Sequence, residues 1–527
     1  MRDLHLPGRS PVYAPNAAIA TSHPLASQVG LDVLKSGGTA VDAAVAACAV
    51  LCVVEPHMTG IGGDCFALVA PKGSGDVVAM NGSGRAPAKA ELSWFQQKGI
   101  SEFGLSGDPH TVTVPGAVGA WSALLERFGT KTLGELLQPA IQYAENGYPV
   151  SSRVGSDWAD AVEKLSKNPA AKAAMLPNGS APAIGTRHSQ PRLAATLKVI
   201  AEKGRDGFYM GAVAEDMVAS LNRLGGLHSV EDFANAAPEW VDPIKGAFAG
   251  HDVYECPPNG QGVCALMILG ILDRHDVANL SEADRVHLIA EATKLAYAQR
   301  DRYVGDPRQV DVPVEWLLSD AHISALDAMI DPNRAGAFEP SDFPVHKDTI
   351  YLSCVDKDGT AISFINSIFS DFGSCIMSEN TGVMLHNRGK SFHLVEGHPN
   401  AIAPNRRPMH TIIPGMLVKD GRAVAPFGVM GGQYQSTGHA TFLSNLLMRG
   451  MDPQEALDDS RSFATEGTLQ VESTFAPETY AALEAKGHSL TRMPKPIGGG
   501  QAVLIDQKNG VLVAGSDPRK DGCALGY

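Results

Sequence analysis

Lys347-Asp348-Thr349-Ile350-Tyr351-Leu352-Ser353-Cys354-Val355-Asp356-Lys357-Asp358-Gly359 is the stretch whose reading decides the fold. From Thr349 onward it is rich in β-branched and aromatic residues, which predicts a strand. Asp356 to Gly359 supplies turn residues, and Thr360-Ala361-Ile362-Ser363-Phe364-Ile365 returns as a second strand. The prediction is a hairpin with a threonine at its head. Such a threonine is ordinarily just a good strand former, so the rest of the chain must say whether it does more.

Composition bounds the answer first. The chain has 527 residues, 44% of them hydrophobic and 19% charged, which is globular composition with length for a large core. The net charge of −14 argues against nucleic acid as a partner, because that needs clustered basic surface. The eight cysteines are scattered without a Cys-x-x-Cys pair, so structural zinc is not expected and buried free thiols are. Residues 1–20 lack a charged segment followed by an apolar one, so no signal peptide is read and a cytoplasmic location is expected. Ala43 to Val54 is apolar throughout but too short to span a membrane, which predicts a buried core helix.

Along the chain, Ser22-His23-Pro24-Leu25-Ala26 opens a helix that stops at Gly37-Gly38, and Thr39 to Val54 forms a second. Gly60-Ile61-Gly62-Gly63 precedes a strand at Phe66 to Val69. It is no phosphate loop, because it lacks a Gly-Lys-Ser/Thr ending and leads into a strand. Helices are predicted from near Val118, over Leu133 to Asn146, over Val263 to Leu272 and over His287 to Tyr303, with residues 150–250 mostly helical. The charges of the last helix (Glu291, Lys294, Arg300, Asp301) read as ion pairs and a solvated face. Residues 330–348 are rich in Pro, Asp and Ser without periodicity, which predicts an exposed, mobile segment.

These blocks, in this order, resemble the γ-glutamyltransferase family of N-terminal-nucleophile hydrolases. Ser22 to Phe66 resembles its N-terminal block. Thr349, Ser353, Val355, Asp356 and Gly359 match its self-cleavage site, and Gly431-Gly432 and the ending Gly515 to Tyr527 match later motifs. The resemblance spans about residue 18 to 527. It implies an α+β, four-layer αββα sandwich, and self-cleavage between Asp348 and Thr349. Residues 1–348 would form a large subunit and 349–527 a small one, together making one αββα unit and an αβ heterodimer, with further dimerisation left open. Thr349 would be the nucleophile, with its own freed α-amine as base; that amine titrates near 7.7–8.0. Ser367 would orient it, and the N–H groups of Gly431 and Gly432 would hold the oxyanion. No metal, cofactor or membrane is implied.

The resemblance also shows where this sequence departs. The glutamyl-transferring members hold the substrate α-carboxylate with an Arg at the position of Ser83. They use an Asn at Phe369, and pair the α-ammonium with an acidic residue at Ser391. Arg85 either grips a carboxylate bidentately or ties loop carbonyls. Arg388 stands where those enzymes carry a neutral amide, while His410 and Thr411 replace two pocket serines. Arg85, Asn366, Arg388, His410, Thr411 and Gln433 are therefore the candidate substrate contacts. Lys390 beside the site would repel an ammonium. The expected substrate is a small amide whose acyl group has a carboxylate and no α-ammonium. Oxamate, hydrolysed to oxalate and ammonia in a nitrogen-scavenging, purine-catabolic role, is the first choice. Glutaryl (cephalosporin-type) amides, γ-glutamyl amides or a non-processing binding role are the alternatives.

Overall fold

The computed structural model describes residues 8–104, 106–337 and 349–527. Strands that are apolar on both faces must be covered on both, and the hairpin at Thr349 is such a pair. Ile350–Val355 and Ala361–Ser367 are buried at every residue and pair antiparallel from Ile350↔Asn366 to Val355↔Ala361. Gly359 closes the turn at φ 83°, a conformation that favours glycine. Asp356 pins that turn by accepting the N–H of Asp358 (3.0 Å) and Thr360 (2.9 Å), and it also accepts Ala40 N–H (2.9 Å) at the start of helix Ala40–Val54.

The hairpin is the centre of a seven-stranded sheet. Its order is Cys523–Gly526, Ala18–Thr21, Ile350–Val355, Ala361–Ser367, Asp64–Ala70, Val78–Gly82 and Glu239–Val241. A second seven-stranded sheet runs Val12–Ala14, Val511–Ser516, Gly499–Asp506, Arg422–Met430, Gly415–Lys419, His251–Glu255 and Ile244–Phe248. Alternate residues along each strand divide between two cores, as a period of two requires. Phe66, Leu68, Tyr351 and Ile365 meet Met416, Met430 and Val503 between the sheets. The other faces carry Cys65, Ala67, Leu352 and Phe364 under helix Ala40–Val54 on one side. On the other side Leu417, Phe427 and Val429 lie under Gly262–Leu272, Glu282–Tyr303 and Gln435–Leu443. The result is helix, sheet, sheet, helix: the αββα sandwich of the N-terminal-nucleophile hydrolases.

Two details differ from the sequence reading. The helix expected over Leu133 to Asn146 breaks into Leu133–Leu136 and Gln138–Asn146, with Pro139 at the start of the second piece. The stretch 150–250 is mostly helical through Val230–Ala234, but Glu239–Val241 and Ile244–Phe248 then become the edge strands of the two sheets. Pairing with an available sheet edge overrides a weak local pattern. Among the described residues no helix is long and apolar enough to cross a membrane, and helix Ala40–Val54 is buried on all sides. All eight cysteines are free thiols, and seven are buried. The upstream side of the expected cleavage site, Asp348 included, lies outside the described residues.

Candidate active site

Thr349 sits at the head of the hairpin with a buried side chain, and its Oγ1 lies 3.1 Å from Ser367 Oγ. Ser367 ends the returning strand and sits beside Asp64 in the register of the next. The backbone there is tight: a Cβ on Gly63 would come within 2.2 Å of the Ser367 carbonyl oxygen, so only glycine fits. Ser367 Oγ also accepts Phe369 N–H at 3.0 Å. Phe369 itself lies at φ 77°, a left-handed conformation that is costly for a bulky residue and concentrates at functional sites.

The Phe369 ring lies under the Arg388 guanidinium, with Cζ 4.0 Å from the ring centroid. Arg388 is buried, and its Nη1 donates to Thr411 Oγ1 at 3.1 Å. Among the described residues its Nε and Nη2 have no hydrogen-bond partner. Those two N–H groups share one edge of the planar fork, the edge that matches both oxygens of a carboxylate. Burial lowers Arg388 to about 9, opposed by the negative charge of Asp64, so the group is a cation at neutral pH. A buried cation with an open, bidentate edge is costly unless something fills it.

A bond path then leads to the Gly-Gly turn. Thr411 O accepts Gln261 Nε2 at 2.8 Å, and the same nitrogen donates to Gly432 O at 3.2 Å. Gly431 and Gly432 adopt φ 120° and 59°, so both need glycine. Arg300 stands beneath: Nη1 donates to Gln261 Oε1 and Nη2 to Gln433 Oε1, both at 3.1 Å. Tyr297 OH donates to Gln433 O. Helix Glu282–Tyr303 thus braces this turn from within the core, a role for Arg300 beyond the ion pair it makes with Asp301.

The remaining candidates are committed to protein partners. Asn366 Nδ2 donates to Thr59 Oγ1 (2.9 Å) and Gly60 O (3.3 Å), and its Oδ1 accepts Trp121 Nε1 at 3.3 Å. Arg85 bonds Glu239 (2.8 Å), Asp306 (3.4 Å) and the Asn405 carbonyl (3.0 Å). It lines a cavity of about 220 Å³ with Ser83, Tyr209, Asp232 and Asn235, and Thr349 is not among the lining residues. His410 Nε2 lies 3.0 Å from Asp64 Oδ2 and its ring packs on Phe66. Burial, followed by the Arg388 charge, pushes His410 down to about 3, so it is neutral.

Asp64 and Gln261 escaped the sequence reading. A signal for Asp64 was present, since a charged residue inside an all-buried strand needs partners. Burial pushes the Asp64 carboxyl up, but His386, the His410 hydrogen bond and Arg388 together hold it below its ordinary value. Elsewhere, His287, Glu291 and His488 form a buried trio of metal-ligand types. His287 already bonds His488 and the Asp331 carbonyl, both at 2.8 Å, and Glu291 pairs with Lys294 at 2.6 Å.

A threonine at a strand head, bonded to a serine and linked to a glycine turn inside an αββα sandwich, defines a class of amide-hydrolysing enzymes. The chain belongs to the family described as Gamma-glutamyltranspeptidase, which it matches over residues 26–527. It is 36% identical over 519 residues to the Glutathione hydrolase-like YwrD proenzyme of Bacillus subtilis (strain 168), covering 96% of this chain and 98% of that one. It is 35% identical over 524 residues to the Oxamate amidohydrolase proenzyme of Klebsiella pneumoniae subsp. pneumoniae, covering 97% and 98%. Among solved structures, cephalosporin acylase from Bacillus halodurans superposes with a TM-score of 0.94 at 39% identity, covering 100% and 98%.

Proposed function

We propose that this enzyme cleaves itself between Asp348 and Thr349 and then hydrolyses small amides whose acyl group carries a carboxylate and no α-ammonium. The observation that carries the reading is Arg388: a buried guanidinium with one edge held by Thr411, its face on Phe369, and its Nε–Nη2 edge open. An acyl carboxylate fills that edge with two charge-assisted hydrogen bonds. Arg388 and Thr411 are then the substrate contacts. Asn366, Gln433 and His410 support the site from behind, and Arg85 lies outside it.

The chemistry follows from an N-terminal threonine. The neutral α-amine takes the Oγ1 proton as Oγ1 attacks the amide carbonyl. The N–H groups of Gly431 and Gly432 stabilise the oxyanion, a contribution of about 3–4 kcal/mol per donor. The protonated amine returns its proton to the leaving nitrogen, and an ester to Thr349 remains. Water, deprotonated by the same amine, then releases the acid and restores the hydroxyl. Ser367 holds Thr349 Oγ1 in line throughout.

Oxamate is the first candidate: its carboxylate adjoins the amide carbonyl, it has no ammonium, and a relative bears that name. A dicarboxylic acyl amide is the second, favoured by the likeness to a cephalosporin acylase. A cytoplasmic nitrogen-scavenging role suits the first. The test is product formation by the purified, processed enzyme from oxamate, a glutaryl amide and a γ-glutamyl amide at equal concentration. Turnover of either of the first two above the third supports the reading. Preference for the γ-glutamyl amide overturns it.

A further inference from the structure

Asp64 takes no part in the chemistry above, yet four separated segments converge on it. It is the first residue of strand Asp64–Ala70 and lies opposite Ser367. Its Oδ1 accepts the N–H of Gly84 (3.0 Å) and of Gly116 (3.1 Å). Its Oδ2 lies 3.0 Å from His410 Nε2 and 3.5 Å from His386 Nδ1. The His410 tautomer is fixed by its surroundings. Nδ1 accepts Ile412 N–H at 3.3 Å, so the ring proton sits on Nε2 and is donated to Asp64. The next residue is Thr411, whose hydroxyl takes Arg388 Nη1.

We infer that Asp64 is a positioning residue for the acyl-carboxylate site, fixing through His410 the loop that holds one edge of Arg388 and so the direction of the other. This rests on the carboxylate reading of Arg388. The charge matters as well as the shape. Asp64 is a counter-ion to a guanidinium buried beside it, and it accepts hydrogen bonds on both oxygens. An asparagine could keep the two backbone N–H groups on its oxygen, but its amide nitrogen would then face the His410 N–H, donor against donor. The Thr411 loop would shift, and Arg388 would lose its register without any change at Thr349.

The experiment uses two p-nitroanilides that differ only in a terminal carboxylate, glutaryl and butyryl, with wild type, Asp64→Asn and Arg388→Gln. In Asp64→Asn the ratio of kcat/KM for glutaryl over butyryl should fall about tenfold, the equivalent of 1.4 kcal/mol. The loss should lie in KM for the glutaryl compound, with kcat and chain cleavage retained. An equal loss on both substrates, or an unmoved ratio, overturns the inference. Should Asp64→Asn fail to fold, Thr411→Val removes the hydroxyl that accepts Arg388 Nη1. It must lower the same ratio, and an unmoved ratio again overturns the inference. If the wild type shows no preference for the glutaryl compound, the carboxylate reading falls and this inference with it. If the wild type and Arg388→Gln differ as expected while the Asp64 and Thr411 variants match the wild type, the roles of Asp64 and of the Thr411 link fall and the carboxylate reading of Arg388 stands.

Discussion

Among the described residues nothing accepts from Nε or Nη2 of the buried Arg388, and leaving such donors unfilled costs free energy. Arg388→Gln should raise KM for a carboxylate-bearing amide by about 10- to 100-fold, the range for losing one charged hydrogen-bonded contact. It should leave cleavage at Thr349 intact, as steady-state kinetics and gel analysis would show. The sequence made Arg388 a candidate because a cation had taken the place of a neutral side chain. It offered no reason to see that Phe369 and Thr411 would leave one particular edge free. Arg85 looked equally suitable on paper. The structure commits it to Glu239, Asp306 and a loop carbonyl, one of the two roles its setting allowed.

At the scale of elements, the hairpin and most helices were legible because their signals are local. A run of strand formers ends in Asp-x-x-Gly, and apolar runs end in glycine. What was not legible is how elements brace one another. His410 reaches Asp64 across 346 positions, and Arg300 reaches Gln433 across 133. Periodicity carries no information at such separations. The bracing of the Gly431-Gly432 turn gives a prediction of its own. Gln261→Leu removes the bonds to Thr411 O and Gly432 O and takes the Gln261 Oε1 acceptor from buried Arg300. A loss of about 1–3 kcal/mol in unfolding free energy follows, measured by denaturant titration, together with a lower kcat from a loosened oxyanion turn. Gly431→Ala is harsher. Its Cβ would lie 3.0 Å from Gly498 Cα at φ 120°, and kcat should fall by about 10²–10³ with folding retained.

At the scale of the whole molecule, two pH dependences separate catalysis from stability. If the base is an α-amine with a pKa near 7.7–8.0, kcat/KM falls about tenfold per pH unit below that range, because only the neutral amine accepts the Thr349 proton. Stability follows the buried ion pairs instead. Burial pushes the Asp517 carboxyl up, but Arg461 and Arg519 more than offset this and hold it below its ordinary value. A carboxyl lowered by folding stabilises the protein above its unfolded pKa, near 3.9, and this contribution is lost as pH falls toward the lower folded value. Asp517→Asn should therefore cost most at neutral pH, about 3–5 kcal/mol for a buried pair broken on one side. The difference in Tm from wild type should shrink as thermal melts are taken below about pH 4.

The layered fold itself was reached through a resemblance rather than through periodicity. The hairpin was legible as strands from its β-branched and aromatic residues, but that local signal does not say how sheets stack. The sheet order has strands from both sides of Thr349 in one sandwich, with Ile350–Val355 between Ala18–Thr21 and Ala361–Ser367. Cleavage before Thr349 would then leave the two chains interleaved through a shared sheet and held without a covalent link.

The most direct measurement is the intact mass of the purified protein, with N-terminal sequencing of each chain it contains. The account predicts two chains under native conditions, the smaller beginning at Thr349, and a single uncut chain for Thr349→Ala. A wild-type protein that stays uncut yet hydrolyses amides, or one whose new terminus lies at another residue, would contradict the assignment of Thr349 as nucleophile.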